Sequence, residues 1–383
     1  MLRRLALACL LAAGGLATAG GTEVTFATHR IGHHRSEACG VADYNGDGKL
    51  DIIAGAFLYL APDWTPQRIR TIKGKIDDQG NGYNWDFMNA PLDVDGDGRL
   101  DVVSCNWHGK AIEWYRNPGK PGVAWKATLI DKNGHFEHGE LWDIDGDGNI
   151  REILPAVTGT WWYELDGQGG FVKHVVSPKR YDWGVGCGDV NGDGRPDLLR
   201  PGAWFEAPAD PRQGTWTRHP LAVGAKKGKA GHTPQILVYD VNADGLNDIV
   251  TSSAHGHGIF WYQQVRTDGE PHWTQHLIDD SWTQAHALTL GDLDADGDLD
   301  LVTGKRYKAH NGHDPEGNKP PGVYWYELAR GPKPTWTKHV ISFGEGIGGG
   351  LNIPVVDLDG DGDLDIVVTG KWGGPAWFEN RMK

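Results

Sequence analysis

Basic charge is scarce in this sequence, sulfur is scarcer, and only one stretch is apolar enough to enter a membrane. Lysine and arginine number 37 against 51 aspartates and glutamates, a formal charge of −14. Nucleic-acid recognition leaves a basic footprint, so no nucleic-acid partner is expected. Four cysteines in 383 residues exclude a disulfide framework. Cys9 falls in the N-terminal apolar run, and Cys39, Cys105 and Cys187 read as buried thiols. That run, MLRRLALACLLAAGGLATAG, has two arginines, a short apolar core and Ala17 and Ala19 in an A-x-A arrangement. It reads as a secretory signal peptide over residues 1–19, too short and wrongly flanked for an anchor. A secreted or periplasmic protein that is not membrane-embedded is the expectation. No serine-hydrolase or nucleotide-binding motif is present.

Aspartate is plentiful, in one spacing. DYNGDGKLD (43–51) sets Asp43, Asn45, Asp47 and Asp51 at positions 1, 3, 5 and 9. The loop recurs as DVDGDGRLD (Asp93, Asp95, Asp97, Asp101), DIDGDGNIR (Asp143, Asp145, Asp147) and DVNGDGRPD (Asp189, Asn191, Asp193, Asp197). Three more follow: DVNADGLND (Asp240, Asn242, Asp244, Asp248), DLDADGDLD (Asp292, Asp294, Asp296, Asp300) and DLDGDGDLD (Asp357, Asp359, Asp361, Asp365). Oxygens at positions 1, 3 and 5 converge on a hard cation, and glycine at position 6 permits the turn. An EF-hand would need Glu at position 12, and none of the seven has it. Up to seven structural Ca2+ ions are therefore expected. The third copy has Arg151 at position 9, so its ion is expected to bind most weakly. The loops hold 26 aspartates, which makes the acidity metal-linked: losing Arg3 and Arg4 with the leader gives −16, and seven divalent ions would return +14.

Loop starts are 50, 50, 46, 51, 52 and 65 residues apart. Each unit also carries an apolar run such as IIAGA, an aromatic run such as IEWYRN or AWFEN, and an outer pattern such as WTRHPL or WTKHVI. Short β-branched and aromatic runs between turn residues indicate an all-β chain, and four strands per unit of this length make a propeller blade. The last unit stops at AWFEN, while FATHRI (26–31), ahead of the first loop, matches the missing outer pattern. The expected fold is a single seven-bladed β-propeller over residues 20–383, closed by the N-terminal strand completing the last blade.

These repeats resemble the FG-GAP and VCBS-type repeats of integrin α-chain propellers and of many secreted bacterial proteins. SWTQAHALTLGDLDADGDLDLVTGKRYKAHNGHDP (281–315) and SSAHGHGIFWY (252–262) further resemble the propeller domain of the aldos-2-ulose dehydratases. That resemblance implies a zinc-containing enzyme that dehydrates keto-sugars.

Histidine placement gives a second reading. His29, His174, His219, His276 and His339 lie in outer-strand patterns, where packing or a rim hydrogen bond is expected, and His272 falls near the aspartate loops. His33, His34, His108, His135, His138, His232, His255, His257, His286, His310 and His313 all map to the opposite face. A single loop histidine needs no function, but eleven on one face weigh towards a site. His138, His232 and His286 precede inner strands, with Glu37, Asp86 and Asp182 at comparable places, and such a set suits Zn2+ or another transition metal. The long segment GKRYKAHNGHDPEGNKPPG (304–322) falls on the same face. Lys305, Arg306 and Tyr307 are candidates for holding a carboxylate, sulfate or oxidised sugar; Trp85, Trp107, Trp183 and Trp282 are candidates for stacking on sugar rings or for blade packing.

Two function classes fit. One is a metal-assisted dehydratase or lyase: the metal on His138, His232 and His286 stabilises an enolate, His255, His257 or Tyr307 exchange protons, and Arg306 or Lys305 hold the anionic or keto group. The other is a non-catalytic carbohydrate- or protein-binding propeller. A bound transition metal with product formation separates the first from the second.

Overall fold

The computed structural model describes residues 23–225 and 228–382; the leader expected over 1–19 lies outside them. Seven four-stranded antiparallel sheets surround one axis. Blade 1 is Cys39–Ala42, Asp51–Ala54, Phe57–Tyr59 and Pro66–Arg68. Blade 2 is Ala90–Leu92, Asp101–Asn106, Ala111–Arg116 and Lys126–Asp131, and blade 3 is His138–Trp142, Glu152–Ala156, Thr160–Leu165 and Phe171–Ser177. Blade 4 runs from Gly186–Gly188 to Thr217–Pro220, blade 5 from Leu237–Tyr239 to Glu270–Thr283, and blade 6 from Ala285–Gly291 to Thr335–Phe343. Blade 7 takes Val355–Val356, Asp365–Val368 and Gly374–Asn380 from the C-terminal end, and its outer strand, Phe26–His34, from the N-terminal end. Phe26 pairs with Asn380, Thr28 with Phe378 and Arg30 with Ala376, so the ring closes as expected and hides that sheet edge. Among the described residues no helix is long and apolar enough to cross a membrane.

Each inner strand runs into an aspartate loop, and in six of the seven the loop's ninth residue opens the next strand. That residue is an anchor. Asp101 accepts from Val94 N at 3.2 Å, Trp114 Nε1 at 2.8 Å and Asn117 N at 2.7 Å, tying the loop to the third strand. Asp51, Asp197, Asp248, Asp300 and Asp365 are hydrogen-bonded in the same way and are almost fully buried. The loop itself is shaped by its first residue, with Asp43 accepting from Gly46 N and Asp47 N through Oδ1 and from Gly48 N through Oδ2. Positions 4 and 6 need a left-handed backbone, as at Gly46 (φ 77) and Gly48 (φ 87).

The third loop departs from the other six at its end. Arg151 is an inserted residue, and Glu152, fully buried, opens the strand in the anchor's place and accepts from Ile144 N at 3.0 Å. Asp143, Asp145 and Glu152 bring ligand atoms within 4.8 Å of one another, as Asp93, Asp95 and Asp101 do. The longer glutamate offsets the extra residue, so this loop does not lack a carboxylate.

The outer-strand histidines are packing groups with a repeated geometry. His174, His219, His339 and His29 stack on Trp162, Trp204, Trp325 and Trp377 at 4.1–4.5 Å. The same imidazoles hydrogen-bond Glu164, Glu206, Glu327 and Glu379. His276 does the same with Trp261 and Gln263. Cys39, Cys105 and Cys187 are free and buried, as read from the sequence.

Candidate functional site

On the face opposite the aspartate loops, segments entering the inner strands of blades 1, 3 and 6 and leaving blades 5 and 6 converge near the axis. A cavity of about 160 Å³ there is lined by Tyr83, Phe87, Trp107, His108, Glu137, Trp183, His232, His255, Arg306 and His310. Glu137 is its buried centre: Oε1 lies 3.2 Å from His286 Nε2, 3.9 Å from His255 Nε2 and 3.7 Å from an Arg306 terminal nitrogen. Arg306 donates from Nε to Glu37 Oε1 at 2.7 Å, and its terminal nitrogen sits 2.9 Å from His286 Nε2. A guanidinium can only donate, so His286 Nε2 is the acceptor there.

Asp314, from the blade 6 insertion, braces two imidazoles with one carboxylate. Oδ2 meets His255 Nδ1 and Oδ1 meets His310 Nδ1, each at 2.9 Å. Both rings therefore carry their proton on Nδ1 and present Nε2 as the basic nitrogen, the arrangement that prepares imidazole as a metal ligand or proton acceptor. The His255 ring centroid lies 4.5 Å from that of His310 and 4.8 Å from that of His286. His232 completes the row at 5.8 Å from His255 and leans on Trp183, which packs on Trp107 at 4.6 Å.

The electrostatics follow from burial and neighbours. Burial alone would raise the Glu137 carboxyl, yet the imidazoles of His286 and His255 and the permanent charge of Arg306 around it hold it well below the usual range. Burial, reinforced by Arg306, drops His286 to about 3, so this imidazole is neutral. Burial would also raise Asp314, but its two histidines hold it down, and His310 in turn is raised by its bond to Asp314. Lys371 is buried with Nζ 3.3 Å over the Tyr83 ring, and burial lowers it to about 8.

The structure sorts the residues expected here. His255, His232, Arg306 and, beneath them, His286 are brought together. His138 is not with them: it lines an axial channel of about 480 Å³ with Met88, Glu140 and Cys187, and neither ring nitrogen has a hydrogen-bond partner. Successive strand residues point to opposite sides, and Glu137 takes the place on the histidine face that was expected of His138. The same parity separates Lys305 from Arg306. Lys305 Nζ turns away to Thr283 Oγ1 at 2.8 Å, while Arg306 enters the pocket. His257 bonds Asp280 O at the blade 5 rim, and Tyr307 packs beside Gly80, so neither lines the pocket. Asp86 is held by Arg70 at 2.9 Å, Ser36 and Ser104 instead of facing the axis. Trp107 and Trp183 form the wall, whereas Trp282 is buried against Tyr324 and Tyr326.

Glu137, Asp314, Lys371 and Tyr83 were not singled out from the sequence. Glu137 adjoins His138 in HFEHGE and Asp314 closes AHNGHDP, so proximity was the available signal. Tyr83 comes from a hairpin, Gly74–Ile76 with Gly82–Asn84, that no repeat pattern announces. The blade 6 insertion reaches it, His310 N donating to Tyr83 Oη at 2.7 Å and Gly82 N to Asn311 Oδ1 at 2.8 Å. Lys308, His310, Asn311 and Glu316 all hold left-handed backbone in that insertion, a cost that non-glycine residues bear mainly at functional sites.

Comparison with known proteins agrees with the repeats and the ring. A family model described as an FG-GAP-like repeat matches residues 93–150 and 240–303, each running from one aspartate loop into the next. No curated protein matches the chain. Among solved structures, the chain is similar to BBS1N in its complex with ARL6DN, at 9% identity and a TM-score of 0.52, covering 92% of this chain and 98% of that one. It is also similar to an Agrocybe aegerita lectin that recognises non-reducing terminal N-acetylglucosamine (15% identity, TM-score 0.49, 91% and 86% covered). An auxiliary nutrient binding protein from Bacteroides ovatus follows at 10% identity and a TM-score of 0.47, with 88% and 84% covered. At these identities the likeness concerns the fold alone.

Proposed function

We propose that the protein is a secreted, calcium-stabilised propeller whose histidine face acts on a carbohydrate bearing a keto or uronic group, by elimination. The observation that carries this reading is the Asp314–His255 pair facing Glu137 and Arg306 inside an aromatic-walled pocket. Elimination beside a carbonyl needs a base for the α-proton, and His255 Nε2, its tautomer fixed by Asp314, is the side chain prepared for that role. Arg306, held by Glu37, places a permanent positive charge where an enolate oxygen would develop. His310, raised by its bond to Asp314, is the candidate to protonate the leaving oxygen, from Nε2 of its protonated form. Trp107 and Trp183 supply apolar faces against which a sugar ring can lie.

Glu137, His255 and His286 also fit a transition metal: their ligand atoms lie within 4.8 Å, and Asp314 orients one of the imidazoles from behind. An ion there would draw on His255 and His286 Nε2, so His255 would serve as a ligand in place of a base. Bound metal would supply Lewis-acid polarisation of the carbonyl. In the seven loops, carboxylates and carbonyls suit Ca2+ instead.

The test is incubation of the protein, purified without chelator, with keto-sugars and uronic-acid glycosides, following ultraviolet absorbance of the new double bond alongside elemental analysis. Turnover lost in His255→Ala and retained in His339→Ala, a packing histidine, is the expected result. Saturable sugar binding with no new double bond under any metal condition would replace the enzyme with a carbohydrate-binding propeller.

A further inference from the structure

We infer that a groove between blades 1 and 2 is a second carbohydrate subsite continuing the histidine-face pocket, so that the ligand is an anionic oligosaccharide and not a single sugar. This rests on the functional reading above and extends it.

The groove has a definite structural origin. The outer strand of blade 1 is three residues, Pro66–Arg68, whereas that of blade 2 is six, Lys126–Asp131. The blade 1 chain then crosses to blade 2, where Trp125 N donates to Ile69 O at 2.7 Å, before entering the hairpin at Gly74. The upper half of the seam between the blades is left uncovered, and the resulting cavity is about 720 Å³, larger than the histidine-face pocket.

Its lining suits a charged sugar chain. Trp85, Tyr115 and Trp125 provide aromatic surface, and Asn106 and Thr71 provide polar groups. Arg70, Lys73 and Lys132 face a single carboxylate, Glu113, which Tyr115 already engages at 3.2 Å. In a protein of formal charge −14, Lys73 and Lys132 beside Glu113, with Arg70 already paired to Asp86, leave the groove with one net positive charge, a local inversion. Arg70 sharpens the argument. It is 3% exposed and committed through Nε to Gly55 O and through one terminal nitrogen to Asp86 and Asn89, yet its other terminal nitrogen has no partner. Its guanidinium carbon lies 4.6 Å from the centroid of the Tyr115 ring, so it backs the aromatic wall of the groove with positive charge.

The groove also leads to the pocket. Trp85 lies over His108 with ring centroids 6.2 Å apart, and His108 lines the histidine-face pocket beside Tyr83. Gly109 lets the strand turn pack against Trp85, since a Cβ there would meet the indole at 3.1 Å and Asn106 Oδ1 at 2.4 Å. A chain with one unit against the wall of Trp107 and Trp183 would thus run past His108 and Trp85 into the groove.

The test is calorimetric titration of the whole protein with galacturonic acid, its linear oligomers, a sulfated oligosaccharide and a neutral oligosaccharide of matched length. Anionic oligomers should bind at least about tenfold tighter than the monomer, as expected when a second subsite adds its contacts. Trp85→Ala and the surface double variant Lys73→Ala/Lys132→Ala should each erase that advantage and leave monomer affinity unchanged. The sulfated and carboxylated arms report which anion the groove prefers. Equal affinity for monomer and oligomer, or equal affinity for neutral and anionic chains, overturns the inference, as does absence of binding by every anionic oligomer. Parallel loss of monomer and oligomer binding in Trp85→Ala also overturns it, placing that side chain in the pocket alone. If the length advantage depends on Trp85 but His255→Ala changes neither binding nor turnover, the groove stands and the functional reading of the pocket fails.

Discussion

Replacing Glu152 by alanine tests how the third aspartate loop works. The glutamate is fully buried, its Oε2 accepts from Ile144 N at 3.0 Å, its Oε1 lies 3.5 Å from Arg151 Nε, and one of its carboxylate oxygens lies within 4.8 Å of ligand atoms of Asp143 and Asp145. Truncation leaves the Ile144 N–H buried and unpaired, costing about 1–3 kcal/mol. If an ion binds the loop at a concentration ~100 times its dissociation constant, losing it removes a further ~2.7 kcal/mol. A cooperative unit of roughly 360 residues unfolds with an entropy near 0.75 kcal/mol per kelvin, so the melting temperature should fall by about 1–4 K in chelator and about 5–8 K in calcium. Arg151→Ala, which removes only half-exposed ion pairs with Asp147 and Glu152, should move it by less than about 1 K. Scanning calorimetry of both variants, with and without chelator, and calcium stoichiometry by elemental analysis give the readout. One equivalent of calcium should be missing from Glu152→Ala and none from Arg151→Ala. A silent Glu152→Ala, or equal shifts with and without calcium, would refute both the anchor and the ligand role.

Other consequences are as direct. Deleting residues 23–34 removes the outer strand of blade 7 and uncovers the Gly374–Asn380 edge, so the protein should aggregate or lose its cooperative transition, measured by light scattering and calorimetry; deleting 315–320 from the blade 6 insertion should cost far less. Glu140 lies in the axial channel against Gln235, and burial raises its carboxyl to about 7. The folded state therefore binds more protons than the unfolded state between about pH 4.5 and 7, and this group's contribution to stability is lost as pH rises through that window. Glu140→Gln should leave stability at pH 5 nearly unchanged and gain up to about 3 kcal/mol over wild type at pH 8, read from denaturant midpoints; a pH-independent difference would count against it. Alanine at His255 or His286 should remove any transition metal while calcium content stays constant, whereas His138→Ala should keep it, since that ring faces the axial channel. Metal loss in His138→Ala equal to that in His255→Ala would place the site lower in the ring.

The sequence alone determined the repeats, the ring they build and its closure. Each of these depends on local patterns: aspartate spacing, aromatic strands, and an outer-strand motif carried at opposite ends of the chain. It also set the outer-strand histidines, which stack on tryptophans, apart from His232, His255, His286 and His310, which meet on the open face, because strand order fixes which turns lie together; His138, expected among them, faces the axial channel. Tertiary structure decided which neighbour of a pair enters the pocket. Glu137 against His138 and Arg306 against Lys305 differ by one residue, and the side to which an inner-strand residue points turns on a register that no repeat motif specifies. Only folding could show that Glu152 replaces a missing aspartate, because a one-residue insertion and a one-methylene-longer side chain offset each other in space. Asp314 and Tyr83 lie 231 residues apart in the chain, and the contact between their two loops belongs to no repeat, so the site they frame exists only once the ring has closed.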